Sequence, residues 1–249
     1  MAGHSQFKNI MRRKGAQDIK RGKLFTKIGR EIIAACKTGS PDPASNPRLR
    51  TAVLWAREEN MPRDRIEAAI KRASGNNDSD NFDSVRYEGY GAGGIAVIVN
   101  ALTDNRNRTA SDIRSAFTKC GGNMGESGSV SFMFHNIGLI VYAADKASEE
   151  AMLEAAIDAG AEDCALVGDE HHITTAIDTL GLVRDRLEAT FGEAKSARLV
   201  WQPANLNSVN DEHAAAIIKL IDMLEDLDDV QEVICNADFT AAQMGQADA

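Results

Sequence analysis

No stretch of this chain approaches the roughly 18–20 continuous apolar residues that a membrane-spanning helix needs, so no membrane partner is expected. Cysteine is sparse: Cys36, Cys120, Cys164 and Cys235 lie far apart and form no CxxC pair. That spacing argues against a metal site or a disulfide framework, and reduced thiols suit a cytoplasmic location. The opening residues MAGHSQFKNIMRRKG are basic without an apolar run, and Ala2 stands where myristoylation requires glycine. Neither a secretory leader nor a lipid anchor is expected. The strings GxSxG and HExxH, a Walker A loop and a deaminase signature are all missing. We therefore expect no enzyme, no cofactor, no metal and no small-molecule substrate.

What the chain does have is charge, unevenly spread. Residues 1–75 hold 17 Lys+Arg against 7 Asp+Glu, a formal +10, and the remainder carries −19 to give the overall −9. A cationic module tied to an anionic one points to a polyanionic partner for the first, most simply nucleic acid. The acidic part should oppose nonspecific adhesion to the same polymer.

Residues 17–37 read as an amphipathic helix, with Leu24, Ile28, Ile32 and Ala35 at helical spacing. Lys20, Lys23, Lys27, Arg30 and Lys37 fall within about a 100° arc away from that apolar stripe. Upstream, Lys8, Arg12, Arg13 and Lys14 form a basic arm. Asn46-Pro47 predicts a capped second helix with Leu49, Ala52, Val53 and Ala56 inward. Pro62 is expected to start a third in the same way, with Ile66, Ala69, Ile70 and Ala73 inward. Arg48, Arg50, Arg57, Arg63, Arg65, Lys71 and Arg72 are left for the surface of this three-helix bundle, as nucleic-acid contacts or as a merely solvated face. Its ENMPRD turn fits a helix-turn-helix or a plain bundle equally.

A polar linker around residues 76–83 separates the acidic part. Gly89, Gly91, Gly93 and Gly94 precede the strand GIAVIVNAL rather than follow it, which predicts a turn and not a phosphate loop. A loop and helix follow in TDNRNRTASDIRSAFTKCGG, with Thr109 as candidate cap. Val130, Phe132 and Phe134 alternate in GSVSFMF, predicting a strand with those side chains in the core. Exposed aromatics could instead stack bases, although an RNP1 string is missing. Strand GLIVYAA, helix SEEAMLEAAIDAGAED, a strand over 171–177, helix TLGLVRDRLEATFG and strand ARLVWQP suggest a ferredoxin-like unit. A helix at 211–226 and the strand VQEVICNADF supply the elements the preceding unit lacks. The expected fold class is thus α+β: a basic helical domain over 1–80, then two ferredoxin-like α+β domains. The first is built from 81–134 plus 205–240, the second (135–204) is inserted in it, and 241–249 form a tail.

Two acidic clusters, Glu225–Asp229 and Glu162–Glu170, could bind Mg²⁺ or do acid–base work, but helix ends and solvated faces explain them as well. His171 and His172 on a strand point to opposite faces and cannot jointly hold one metal.

The strings AGHSQFKNI, RRKGAQDIKRGKLFTKIGREI, NPRLRTAV, NMPRDRIEAAIKR, VRYEGYGAGGIAVIVNALTDNRNRT and GSVSFMF closely resemble the YebC family over nearly the whole chain. That family includes bacterial proteins named as probable transcriptional regulators and mitochondrial activators of cytochrome-oxidase subunit translation. The resemblance implies a three-domain, crab-claw-like molecule without cofactor or catalytic residue. It implies a nucleic-acid-binding segment at Lys8, Arg12, Arg13, Lys14, Lys20, Arg21, Lys23, Lys27 and Arg30. Phe7 stands where many relatives carry Trp, which leaves a smaller stacking face. Asp104, Asn105, Arg106, Asn107, Arg108 and Thr109 form the signature loop, as an exposed contact surface or a helix cap.

These observations predict a non-enzymatic, nucleic-acid-binding regulator of gene expression, with DNA-binding control of transcription as the first expectation. The alternatives are a ribosome- or RNA-associated translation factor, a scaffold for an acidic protein and, distantly, a metal-dependent hydrolase. Phosphate attraction does not separate DNA from RNA.

Overall fold

The computed structural model describes residues 17–75 and 81–246. It is α+β, with helices first and two four-stranded sheets after them. Helices α1 (Gln17–Thr38), α2 (Pro47–Glu58) and α3 (Arg63–Ala73) enclose Ile28, Ile32, Leu49, Ala56, Ile66 and Ala69. The alanines among the core residues let the helices approach closely. Asn46 accepts the Leu49 N–H at 3.1 Å and donates to Ala35 O at 2.9 Å and Ser40 O at 2.7 Å, tying the end of α1 to the start of α2. Pro62 sits one place earlier than expected: it occupies the cap position of α3, without a side-chain acceptor.

The first sheet joins β1 (Asp83–Tyr90), β2 (Ala96–Thr103), β3 (Asn123–Met124) and β9 (Val230–Cys235) in the order β3-β1-β2-β9, all antiparallel. Helices α4 (Arg106–Lys119) and α7 (Asp211–Glu225) bury one face of it around Val97, Val99, Phe117, Ile217 and Val233. The glycine run is a turn, with Gly93 and Gly94 at φ 68° and 75°, a region that favours glycine.

The second sheet joins β4 (Phe134–Ala143), β5 (Asp163–Val167), β6 (Glu170–Thr175) and β7 (Ser196–Pro203) in the order β5-β6-β4-β7, with α5 (Glu149–Ala159) and α6 (Leu180–Phe191). Read from β7, this is the fourth-first-third-second order of a ferredoxin-like sheet. The first sheet has the same layout read from β9, except that its third place is filled by β1, the strand that opens the unit. Two-residue strands β8 (Asn207–Ser208) and β10 (Ala237–Asp238) pair in parallel beside the return path. No helix among the described residues is long and apolar enough to cross a membrane.

Four local expectations need correction. GSVSFMF is not a strand: Ser131–Met133 form a 3₁₀ turn, with Val130 and Phe134 buried and Phe132 outside. The cause is Glu88, whose carboxylate accepts the N–H groups of Gly128, Val130 and Ser131 at 3.0, 2.8 and 2.9 Å. A strand would aim successive amides to opposite sides, whereas one carboxylate needs them converging. Strand β5, which the ferredoxin-like order requires but the sequence reading does not locate, starts at the acidic helix end, and β6 stops at Thr175 rather than Ile177. Thr109 is not the cap of α4. Asn105 is, accepting the Arg108 N–H at 3.1 Å. Finally, 241–246 is a helix, α8 (Ala241–Gln246), rather than a tail. Thr240 and Gln243 form a reciprocal capping box, with Thr240 N–H donating to Gln243 Oε1 at 2.9 Å and Gln243 N–H to Thr240 Oγ1 at 3.3 Å.

Candidate nucleic-acid interface

Helix α1 presents its cations along one side, but that side does not face water throughout. Lys8, Arg12, Arg13 and Lys14, with Phe7, lie outside the described residues, and Lys20 is placed by its helical backbone. Lys23, Lys27 and Arg30 meet the acidic segment that ends α7. Lys23 Nζ donates to Asp226 Oδ1 at 3.0 Å and to Asp226 O at 3.3 Å. Lys27 Nζ reaches Glu225 O at 2.7 Å, and Arg30 Nη1 reaches Asp228 O at 2.6 Å and Asp229 Oδ1 at 2.7 Å. The carbonyls of Glu225 and Asp226 lie at a helix C-terminus, where they lack an intrahelical donor and carry the negative end of the dipole. Three cations on one helix thus neutralise the end of another. Burial pushes the Lys27 ammonium below its ordinary pKa, although Glu225, Asp226 and Asp228 oppose the shift.

The signature loop enters the same junction. Asp229 accepts Thr109 Oγ1 at 2.7 Å and Arg108 Nη2 at 3.0 Å on Oδ2, while Oδ1 takes Arg30. Burial alone would raise the Asp229 pKa, but the hydrogen bonds from Thr109, Arg108 and Arg30 outweigh it and hold the carboxyl below its usual value. Arg108 also grips Asp104 at 2.6 Å, and Arg106 pairs with Asp83 at 2.8 Å. Asp104–Arg108 are exposed, while within the junction Asn105 caps α4 and Arg108 clamps Asp229. A cleft opens here between Arg30, Arg108, Asp112 and Asp228. Its guanidiniums alternate with carboxylates, which makes it a poor anion socket.

Several other surface cations are held by neighbouring acceptors. Arg48 makes a two-pronged pair with Glu31 at 2.7 and 3.2 Å, and Arg50 donates to Pro43 O and Ala44 O at 3.1 and 2.8 Å. Arg57 meets Glu193 at 3.4 Å. By contrast, the exposed Arg21 and Arg65 each set a guanidinium 5.6 Å from the centre of the half-buried Phe25 ring. Lys71 and Arg72 lie exposed on α3 with Arg65, and Arg63 pairs with Glu67 at 2.7 Å. This Phe25-centred patch joins α1 to α3. Sequence periodicity alone could not assemble it, because it joins residues of two helices.

The second acidic cluster is also engaged. Glu170 is ion-paired with Lys195 and lies 3.4 Å from His172 Nε2, and His171 Nε2 bonds Ala147 O at 3.0 Å. Among the described residues, no group of three or more His, Cys, Asp or Glu is arranged to hold a metal.

A family model described as the TACO1/YebC protein N-terminal domain matches residues 5–76, and one described as the TACO1/YebC second and third domain matches residues 82–237. The crystal structure of a conserved hypothetical protein from Aquifex aeolicus is similar at 46% identity with a TM-score of 0.82, covering 92% of this chain and 96% of that one.

Proposed function

The chain belongs to the TACO1/YebC family, and from that premise we propose that it is a non-enzymatic, cytoplasmic regulator of gene expression that binds RNA, as a ribosome- or messenger-associated factor. The observation that carries this reading is the Arg21–Phe25–Arg65 arrangement joining α1 to α3. An aromatic ring flanked by guanidiniums, on an irregular surface between two helices, suits phosphates and unpaired bases better than a groove. Helix α1 is a poor groove reader because Lys23, Lys27 and Arg30 are already spent on the α7 terminus. A second reading, DNA-binding control of transcription, is favoured by the short turn between α2 and α3, which puts Arg63 and Arg65 at the start of an exposed second helix.

Competition binding separates the two. The RNA reading expects structured or single-stranded RNA to outcompete random duplex DNA and the protein to cosediment with ribosomal particles in a salt-sensitive way. Binding to a promoter duplex that survives excess competitor, with no cosedimentation, would establish the second reading instead. Arg21 and Arg65 changed together to Gln should weaken RNA binding and flatten its salt slope by about 0.7 for every phosphate those cations neutralise.

A further inference from the structure

Phe132 is 74% exposed, the largest exposure of any bulky apolar side chain among the described residues. An aromatic ring in that position loses its favourable transfer from water, yet the backbone beneath it is held with unusual firmness. Glu88 is only 4% exposed and accepts three backbone N–H groups from the segment leading into Phe132. Tyr90 Oη donates to Ser129 O at 3.0 Å, and Val130 and Phe134 on either side are locked in a small core with Ala96, Ile98 and Ile234. The ring is therefore presented by a rigid mount rather than left out by a loose loop. Gly128, Ser129 and Ser131 before it are small, and Met133 after it packs against the same small core, so the ring itself stays open to approach.

The surroundings indicate what would meet it. Glu88 lies on the face of the first sheet opposite α4 and α7, and Arg86 is the next residue of β1 on that same face. Arg86 is exposed and lays its guanidinium 4.1 Å from the centre of the Trp201 ring. Its Nε donates to Asn100 Oδ1 at 3.3 Å on the adjoining strand. A free aromatic ring thus stands on the turn that packs, through Val130 and Phe134, on the sheet face carrying the Arg86–Trp201 pair. Unpaired bases stack on aromatic rings and guanidinium planes, whereas bases within a duplex cannot reach them.

We propose that Phe132, with the Arg86–Trp201 stack, is a second contact point for single-stranded RNA, in which Phe132 stacks on one unpaired base. This deepens the RNA reading given above and rests on it. The test uses the full chain and a fluorescein-labelled single-stranded RNA of about 12 nucleotides, within the span such sites cover. Binding is read by anisotropy over a salt series. Phe132→Ala should weaken binding by about 5- to 150-fold, as expected for one base stack, without changing the salt slope, because the ring touches no phosphate. Phe132→Trp should retain affinity, and Arg86→Gln should reduce the slope by about 0.7. Duplex affinity should not respond to Phe132→Ala. Its thermal transition should coincide with that of the parent protein, since the side chain is mostly outside. If the parent binds this RNA and Phe132→Ala binds it equally well, the assignment is overturned while the RNA reading stands; this holds even if the ring proves to serve a protein. If the parent shows no affinity for the RNA, both fall.

Discussion

Replacing Asp229 by Asn tests whether the junction between the basic helix and the acidic half stabilises the molecule. The carboxylate is buried and receives Arg30 at 2.7 Å, Arg108 at 3.0 Å and Thr109 at 2.7 Å. Asn keeps the shape but removes the charge and turns an amide N–H₂ toward one of the guanidiniums. Breaking a buried, hydrogen-bonded ion pair costs about 3–5 kcal/mol. The Arg108 side chain is 49% exposed and can rehydrate, so its share belongs with surface pairs at about 0–1 kcal/mol. Arg30 is only 21% exposed and recovers less. We expect a net loss of about 2–3 kcal/mol, set by the charged hydrogen bond from Arg30 and the hydroxyl of Thr109. Urea unfolding followed by tryptophan fluorescence measures it, with Trp55 reporting the helical unit and Trp201 the sheets. The sign of the pH dependence is an independent check. The folded pKa of Asp229 is lowered, so its contribution is complete above the ordinary value of 3.8 and is lost as pH falls from there through the depressed folded value. The variant should therefore lose less stability than the parent across that acid window. A double-mutant cycle with Arg30→Gln should show a coupling of about 1 kcal/mol or more. A loss under about 0.5 kcal/mol, or full additivity with Arg30→Gln, would refute the idea that this junction holds the two halves together.

Glu88→Gln should cost about 2 kcal/mol, because an amide offers one oxygen to three converging N–H groups; limited proteolysis should then cut between residues 125 and 131, where the parent resists. Since hydrogen bonds from Val130, Gly128 and Ser131 overcome burial and lower the Glu88 pKa, that contribution too is present above its ordinary 4.5 and lost in acid. Gln243→Ala removes the capping box and the Nε2 bonds to Val209 O at 3.1 Å and Asp211 Oδ1 at 2.8 Å; a loss of about 1–2 kcal/mol is expected in the same urea assay. Burial pushes the Cys164 and Cys235 thiols up to about 11, so iodoacetamide at pH 8 should modify neither until urea unfolds the chain. Rapid labelling of the folded protein would contradict their burial.

Much of the architecture was legible because it follows from local rules. Helical spacing exposed α1 and α2 to view, Asn46-Pro47 marked a start, and the apolar run of β2 marked a buried strand. The capping box at Thr240 was present as T-x-x-Q and could have revealed α8. The strand β5 was obscured because its acidic first residue continues the composition of the helix before it. GSVSFMF misled because alternation is equally consistent with a turn whose flanking residues, Val130 and Phe134, are buried and whose middle one, Phe132, is expelled.

By itself, the chain's order of residues determined a cationic helical front, an acidic α+β remainder and the family to which they belong, because composition and periodicity are local properties. Only the tertiary structure decided which cations meet solvent. Residues about 200 positions apart are brought together at the α7 terminus, where Lys23, Lys27 and Arg30 answer carbonyls and carboxylates that no helical wheel can show. The same holds for Glu88, whose reach to residues 128–131 turns an apparent strand into a mount for one outward ring. Side-chain charge is written in the sequence, but its neutralisation depends on distance, and distance is a property of the fold.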